Sequence, residues 1–219
     1  MNTIIRKTDT SSSVSLDVSP FLNWEKSDDK TPHEKGVVFR SLIATLKLQP
    51  ALDDSLEAKA VKCLKSLDPN DGESADAFLS SLASNSYDSL TVFIQCVLVL
   101  VSSTSRAITT AAMVIQRNLI LLCSFQHQLA LVKTDLIPEL VITLNPQSLS
   151  FSEAADIHAC LLEIIATSLR LATPEALAKL EIEDRDDQQA VHETVLQQVL
   201  VPSEKYICNL CVNSCANPR

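Results

Sequence analysis

Few residues in this chain have a type and spacing that could do chemistry. They are the run Cys208-x2-Cys211-x3-Cys215 and four histidines, His33, His127, His158 and His192. Structural zinc takes four ligands, and the common arrangement pairs two Cys-x2-Cys knuckles. Here three thiols come with no fourth ligand after them, and the nearest histidine, His192, lies well before them. On a helix the three would share one face at spacings of three and four, which is also the spacing of a plain core stripe. Cys208, Cys211 and Cys215 are therefore weak metal candidates. The histidines fall one to a helical segment with no paired spacing, so each reads as a surface or partly buried helix residue. A cysteine nucleophile needs an imidazole beside it in space, which is left to the fold. There is no Gly-rich phosphate loop, no Gly-x-Ser-x-Gly elbow and no His-Glu-x-x-His. The expectation is a non-catalytic chain without a cofactor.

The elements that would hold these residues are helices. From Arg106 to Cys123, the residues Ile108, Ala111, Ala112, Ile115, Leu119 and Leu122 recur three or four apart, the period of one helix face. Val114, Ile120 and Leu121 widen that face beyond one stripe, so this helix is expected to be central, with neighbours on several sides. Phe125 to Lys133 reads as a shorter helix. Thr134 or Asp135 then offers an oxygen acceptor ahead of a helix begun by Pro138, since proline is tolerated in a first turn where its missing N–H has no partner to lose. Asn145-Pro146 ends that helix. Ser150 or Ser152, followed by Glu153, is expected to cap a long one running to about Ala172.

At these residues the chain resembles an armadillo-type helical repeat. In that family a short helix precedes one opening on Ile-Pro-x-Leu-Val-x-x-Leu, and a long third helix follows. Ile137-Pro138-Glu139-Leu140-Val141-Ile142-Thr143-Leu144 matches this pattern, with Thr134-Asp135 in place of the usual glycine. The resemblance implies an all-α, armadillo/HEAT-like right-handed helical solenoid of about nine to ten helices. Partner-binding members carry a Trp and an Asn on successive third helices, lining a groove that holds an extended peptide. Aligning the two long helices puts Val114 and Cys160 at the Trp position, and Asn118 and Ile164 at the Asn position. Only Asn118 agrees, so a partner-binding surface is expected around Asn118, with Arg106 and Arg117 as polar handles. Phe21-Leu22-Asn23-Trp24, His33-Glu34-Lys35, the Val37 to Leu67 helices and Val201-Pro202-Ser203-Glu204 also resemble an expanded family of uncharacterised helical proteins of oxymonad flagellates. That resemblance implies no activity.

Composition agrees with helices. Hydrophobic residues make up 46% of the 219 positions and charged residues 21%, a balance with core to spare, while glycine occurs only twice. A net charge of −9 with no cluster of Lys and Arg argues against nucleic acid and against anionic membrane surfaces. Cys63, Cys96, Cys123 and Cys160 each lie in an apolar helical run and read as buried free thiols of a reducing compartment. The N-terminus carries Arg6 and Lys7 without an apolar core after them, so it reads as no secretory signal. The most apolar run, Leu90 to Val101, is short of the ~20 residues a bilayer needs. A cytoplasmic location follows as the default.

In chain order, residues 1–20 are expected to be disordered, and 21–219 to form one helical repeat domain. The lone Trp24 is expected to fold back as a plug over the first helices, with a partner-docking role as the alternative. Thr31-Pro32-His33-Glu34 starts a helix to Leu48, Asp53 or Asp54 caps the next, and Asp68-Pro69-Asn70-Asp71-Gly72 is the strongest turn signal. Helices follow over Glu73–Ala83 and Ser86–Ser103. Thr173-Pro174-Glu175 starts another, to about Glu181, and the acidic run Glu181 to Asp187 reads as a solvated loop or helix end. Ala190–Val201 is then a helix, and Pro202-Ser203-Glu204 opens a last one. No polar closing helix precedes Arg219, so the domain is expected to be truncated at that end or covered by a partner.

The function expected is a non-catalytic scaffold for protein–protein interaction. Two alternatives stand beside it. One is a metal-binding or enzymatic protein that uses the C-terminal cysteines; the other is a degenerate family fragment without an independent role.

Overall fold

A computed structural model describes residues 17–25, 30–83, 88–145, 154–178 and 185–216, without the side chains of 185–186 and 213–216. Among the described residues the fold is all-α, with no strand. Twelve α-helical segments follow one another: α1 (Ser19–Leu22), α2 (Pro32–Leu48), α3 (Asp54–Leu67), α4 (Gly72–Ser81), α5 (Ser89–Val101), α6 (Arg106–Leu122), α7 (Phe125–Val132), α8 (Leu136–Thr143), α9 (Ala155–Arg170), α10 (Pro174–Ala178), α11 (Arg185–Val195) and α12 (Val201–Ala216). α5 is helical throughout despite its run of β-branched residues.

Local chemistry starts these helices. Thr31 forms a full capping box: its hydroxyl accepts from the Glu34 N–H while the Glu34 carboxylate accepts from the Thr31 N–H at 2.8 Å. Asp53, Asp71, Asp88, Ser105 and Ser124 accept in the same way from the third residue of α3, α4, α5, α6 and α7. Each such cap stabilises by about 1 kcal/mol. α8 differs, because Asp135 makes no side-chain cap bond and the Thr134 hydroxyl instead accepts from the Leu136 N–H at 3.4 Å. The expected Ser150 and Ser152 caps of α9, and the acidic residues 181–184, lie outside the described residues.

Two rows of packing run at a three-element interval, beside contacts at shorter intervals such as α2 on α4 and α5 on α6. α2 packs on α5 and α5 on α8, while α3 packs on α6 and α6 on α9. Helix α6 also touches α4, and seven of its apolar side chains, from Ile108 to Ile120, are buried. It is central, as expected, but Leu121 and Leu122, which the sequence placed on its apolar faces, are exposed at its C-terminal end. One continuous core runs from Phe21 to Leu210. Leu140 of α8 and Leu161 of α9 are fully buried in it.

Both glycines sit where helices approach closely. A Cβ on Gly36 of α2 would lie 2.4 Å from the Ser81 hydroxyl at the end of α4, and one on Gly72 would lie 2.9 Å from the Leu122 carbonyl oxygen at the end of α6. Arg40 spans the first seam, donating to the Ser81 carbonyl at 3.0 Å.

Near the N-terminus, residues 1–16 lie outside the described residues, while Ser19 and Pro20 already belong to α1. Phe21 and Trp24 are buried, the Phe21 N–H donates to the Ser41 hydroxyl at 2.9 Å, and the Lys59 ammonium lies over the Phe21 ring and reaches the Leu22 carbonyl. The apolar lead-in thus plugs the first helices.

At the other end the sequence reading needs correction. Pro202 does not open a separate helix; 185–216 is one helical run, interrupted by a π-turn over Leu196–Leu200 in which the Val201 N–H reaches back to the Leu196 carbonyl. Pro202 has no N–H to give, and a widened turn just ahead of it lets the helix continue.

Candidate functional site

Asn118 and Arg117 lie near the C-terminal end of α6. The Asn118 side-chain nitrogen is 2.9 Å from both carboxylate oxygens of Asp68, the residue that follows α3. Arg117 donates to the Asn118 carbonyl oxygen from Nε at 3.0 Å and from Nη2 at 2.9 Å, while its Nη1 lies 3.3 Å from Glu163 of α9. One polar line therefore runs Asp68, Asn118, Arg117, Glu163 across α3, α6 and α9. Its Glu163 end faces solvent, with the Glu163 side chain 53% and the Arg117 side chain 31% exposed, and Asp68 at the other end is half-buried. Arg117 is paired with Glu163 and neutral Asn118 separates it from Asp68, so the line carries two carboxylates and one guanidinium.

Arg106 is not part of this cluster. It is exposed in the first turn of α6, twelve residues and therefore about 18 Å along the axis from Asn118. There it edges a separate cleft of about 380 Å³ with Thr109, Thr143, Leu144 and Ile157. On α9 the residues aligned with the family's groove positions, Cys160 and Ile164, are buried. The polar line continues onto α9 through Glu163, one residue from the aligned position.

Four expected free thiols, Cys63, Cys96, Cys123 and Cys160, are buried, and burial raises all of them, the first three to about 12. They are unreactive packing residues. Cys208 and Cys211 contradict the core-stripe reading of their spacing, since both are exposed on α12. The Cys215 side chain lies outside the described residues. Among the described residues no three His, Cys, Asp or Glu side chains gather as a metal site.

The histidine reading also needs correction at one position. His33 and His192 are exposed and His127 is half-buried, but His158 is fully buried, with Nδ1 2.5 Å from the Tyr206 hydroxyl oxygen. The expectation fails because a partner from α12 satisfies the ring inside the core, and no local spacing announces it.

A Ser–His–Asp grouping that the sequence does not reveal lies between α4 and α7. His127 Nδ1 is 2.8 Å from Asp76 and 3.2 Å from the Ser124 hydroxyl, and the Ser124 N–H donates to Asp76 at 2.9 Å. A nucleophile relay needs the carboxylate on one ring nitrogen and the hydroxyl on the other. Here both use Nδ1, so the grouping is a helix cap braced by a neighbouring helix. Burial acts to raise the Asp76 carboxyl, but bonds from the Ser124 N–H and the His127 ring outweigh it and hold Asp76 below its ordinary value.

Apolar surface gathers toward the C-terminal end. Ile142 of α8 and Val201 and Val212 of α12 are each about two-thirds exposed. A cleft of about 420 Å³ lies between these helices, edged by Pro138, Val141, Ile142, Pro202 and Lys205. No helix among the described residues is long and apolar enough to cross a membrane. Comparison with protein-family models, curated proteins and solved structures finds no match.

Proposed function

We propose that this chain is a non-catalytic helical-repeat scaffold for protein–protein interaction, built as an armadillo/HEAT-like right-handed solenoid. The observation that carries the reading is the three-element interval of packing, in which α3, α6 and α9 form one row and α2, α5 and α8 another. A helix that rests on the helix three places earlier is what a three-helix repeat demands, because one unit cannot bury its own apolar faces. The Ile137-Pro138 helix with its short predecessor and long successor supplies the matching sequence unit.

The partner surface in this reading is the exposed line along the third helices, with Arg117 and Asn118 at its centre. Arg106 belongs to a different part of α6. A protein partner suits the line better than a phosphate backbone, since the chain carries a net charge of −9 and the line carries two carboxylates and one guanidinium. Free buried thiols fit a reducing, cytoplasmic setting.

Affinity capture with the tagged full chain, followed by mass spectrometry, tests the reading when run beside Arg117→Ala. That variant removes a half-exposed side chain whose ion pair contributes at most about 1 kcal/mol, so the fold persists. The expected result is a reproducible set of proteins retained by the native chain and depleted by Arg117→Ala, at equal melting temperature. Retention of the same set by the variant overturns this surface. Failure of the isolated chain to unfold cooperatively favours the degenerate-fragment reading.

A further inference from the structure

Cys208 and Cys211 lie one turn apart on α12, both in water, whereas Cys63, Cys96, Cys123 and Cys160 are all buried. Cysteine is among the side chains most often buried, so packing does not account for a pair of them side by side on a helix surface. The backbone between them is helical, which sets their Cβ atoms about 5–6 Å apart. A disulfide needs Cβ atoms about 3.5–4.5 Å apart. The pair therefore stays a dithiol as long as α12 stays wound.

The same separation suits a metal. A metal–thiolate bond is about 2.3 Å, so two in line span about 4.6 Å, a distance that χ1 rotation of two thiols one turn apart can set. Two thiolates are half of a tetrahedral zinc set, and the described residues bring no third His, Cys, Asp or Glu to them. Soft thiolates suit Cu(I), zinc and iron–sulfur clusters, and of these only the d10 monovalent ion is content with two ligands in line.

We propose that Cys208 and Cys211 form a two-thiolate site for a soft monovalent cation of the Cu(I) class. Binding forms two metal–sulfur bonds and breaks two S–H bonds, so one Cu⁺ and two thiols give an anionic bis-thiolate and release two protons. The metal keeps its oxidation state, and no oxidant or reductant takes part. The chain's net negative charge favours approach of a cation. The site stands apart from the scaffold reading and does not depend on it.

The test is an anaerobic titration of the reduced full chain with Cu(I) against bicinchoninate, a coloured competitor. One equivalent withdrawn per chain, abolished in the Cys208→Ser/Cys211→Ser double variant and retained in Cys215→Ser, is the expected result. Serine at either exposed position leaves the helix packed, which circular dichroism and the melting temperature verify. No withdrawal from the competitor, equal withdrawal by the double variant, or loss in Cys215→Ser overturns the site. So does half an equivalent per chain accompanied by dimerisation, which assigns the metal to two copies.

Discussion

Tyr206 of α12 and His158 of α9 meet inside the protein, phenol oxygen to Nδ1 at 2.5 Å, with rings 5.9 Å apart at 45° and both side chains out of water. This bond ties the last long helical run to α9, which packs on α6. Tyr206→Phe keeps the ring and deletes the bond. A buried hydrogen bond contributes about 1 kcal/mol, and a buried group deprived of its partner costs somewhat more. The variant is expected to lose about 1–2 kcal/mol in urea denaturation; an unchanged midpoint and slope would show the bond to be idle.

Alkaline pH should unfold the chain early. Burial raises the Tyr206 phenol above its ordinary range and pushes the Cys63, Cys96 and Cys123 thiols from 9.0 to about 12. Their folded values exceed their unfolded ones, so the stability they contribute is fully present below about pH 9 and is lost as pH rises toward the folded values. Melting temperature measured from pH 7 to pH 11 is expected to hold and then fall through the upper half of that range. A flat profile to pH 11 is inconsistent with four buried acids.

Gln116 of α6 is buried, and neither its amide oxygen nor its amide nitrogen has a hydrogen-bond partner in the protein. It lies beside a void of about 10 Å³ among Phe39, Leu64, Phe93, Val97 and Leu100. An unpaired buried polar group costs about 1–3 kcal/mol, and leucine has nearly the same volume. Gln116→Leu is therefore expected to raise stability by about 1 kcal/mol in chemical denaturation. A loss of stability would mean that the amide is satisfied in solution.

Gly72→Ala should destabilise despite alanine's higher helix propensity of about 1 kcal/mol. Its Cβ would press on a backbone oxygen, Leu122, which cannot swing aside. Gly36→Ala presses first on the Ser81 hydroxyl, a side-chain atom, so adding Ser81→Ala should recover part of its loss. Thermal melts of the three variants check this. Equal loss in Gly36→Ala with and without Ser81→Ala would move the conflict to the backbone.

Much of this fold is legible because its signals are local. Thr31-x-x-Glu34 and Asp53 announce helix starts within one turn, and the 3.6-residue period of Ile108 to Leu119 announces a buried face. The Ile137-Pro138 unit is read in the same way. The candidate site is less legible. Asn118 is visible in the pattern, but its partner Asp68 is 50 residues away, just past the end of α3, and nothing periodic links them. The same is true of Asp76 with His127, and of His158 with Tyr206. Spacing also fixes only which residues share a face. Cys208 and Cys211 share one, and water rather than core covers it.

Helices α3, α6 and α9 lean on one another in sequence order, and the contact of Asp68, at the end of α3, with Asn118 of α6 probes that row directly. A double-mutant cycle of Asp68→Ala and Asn118→Ala, measured by urea denaturation of the full chain, isolates this contact. The account predicts a coupling of about 1 kcal/mol, as for a half-exposed charge-assisted bond. Strictly additive single-variant losses, within about 0.3 kcal/mol, would contradict it.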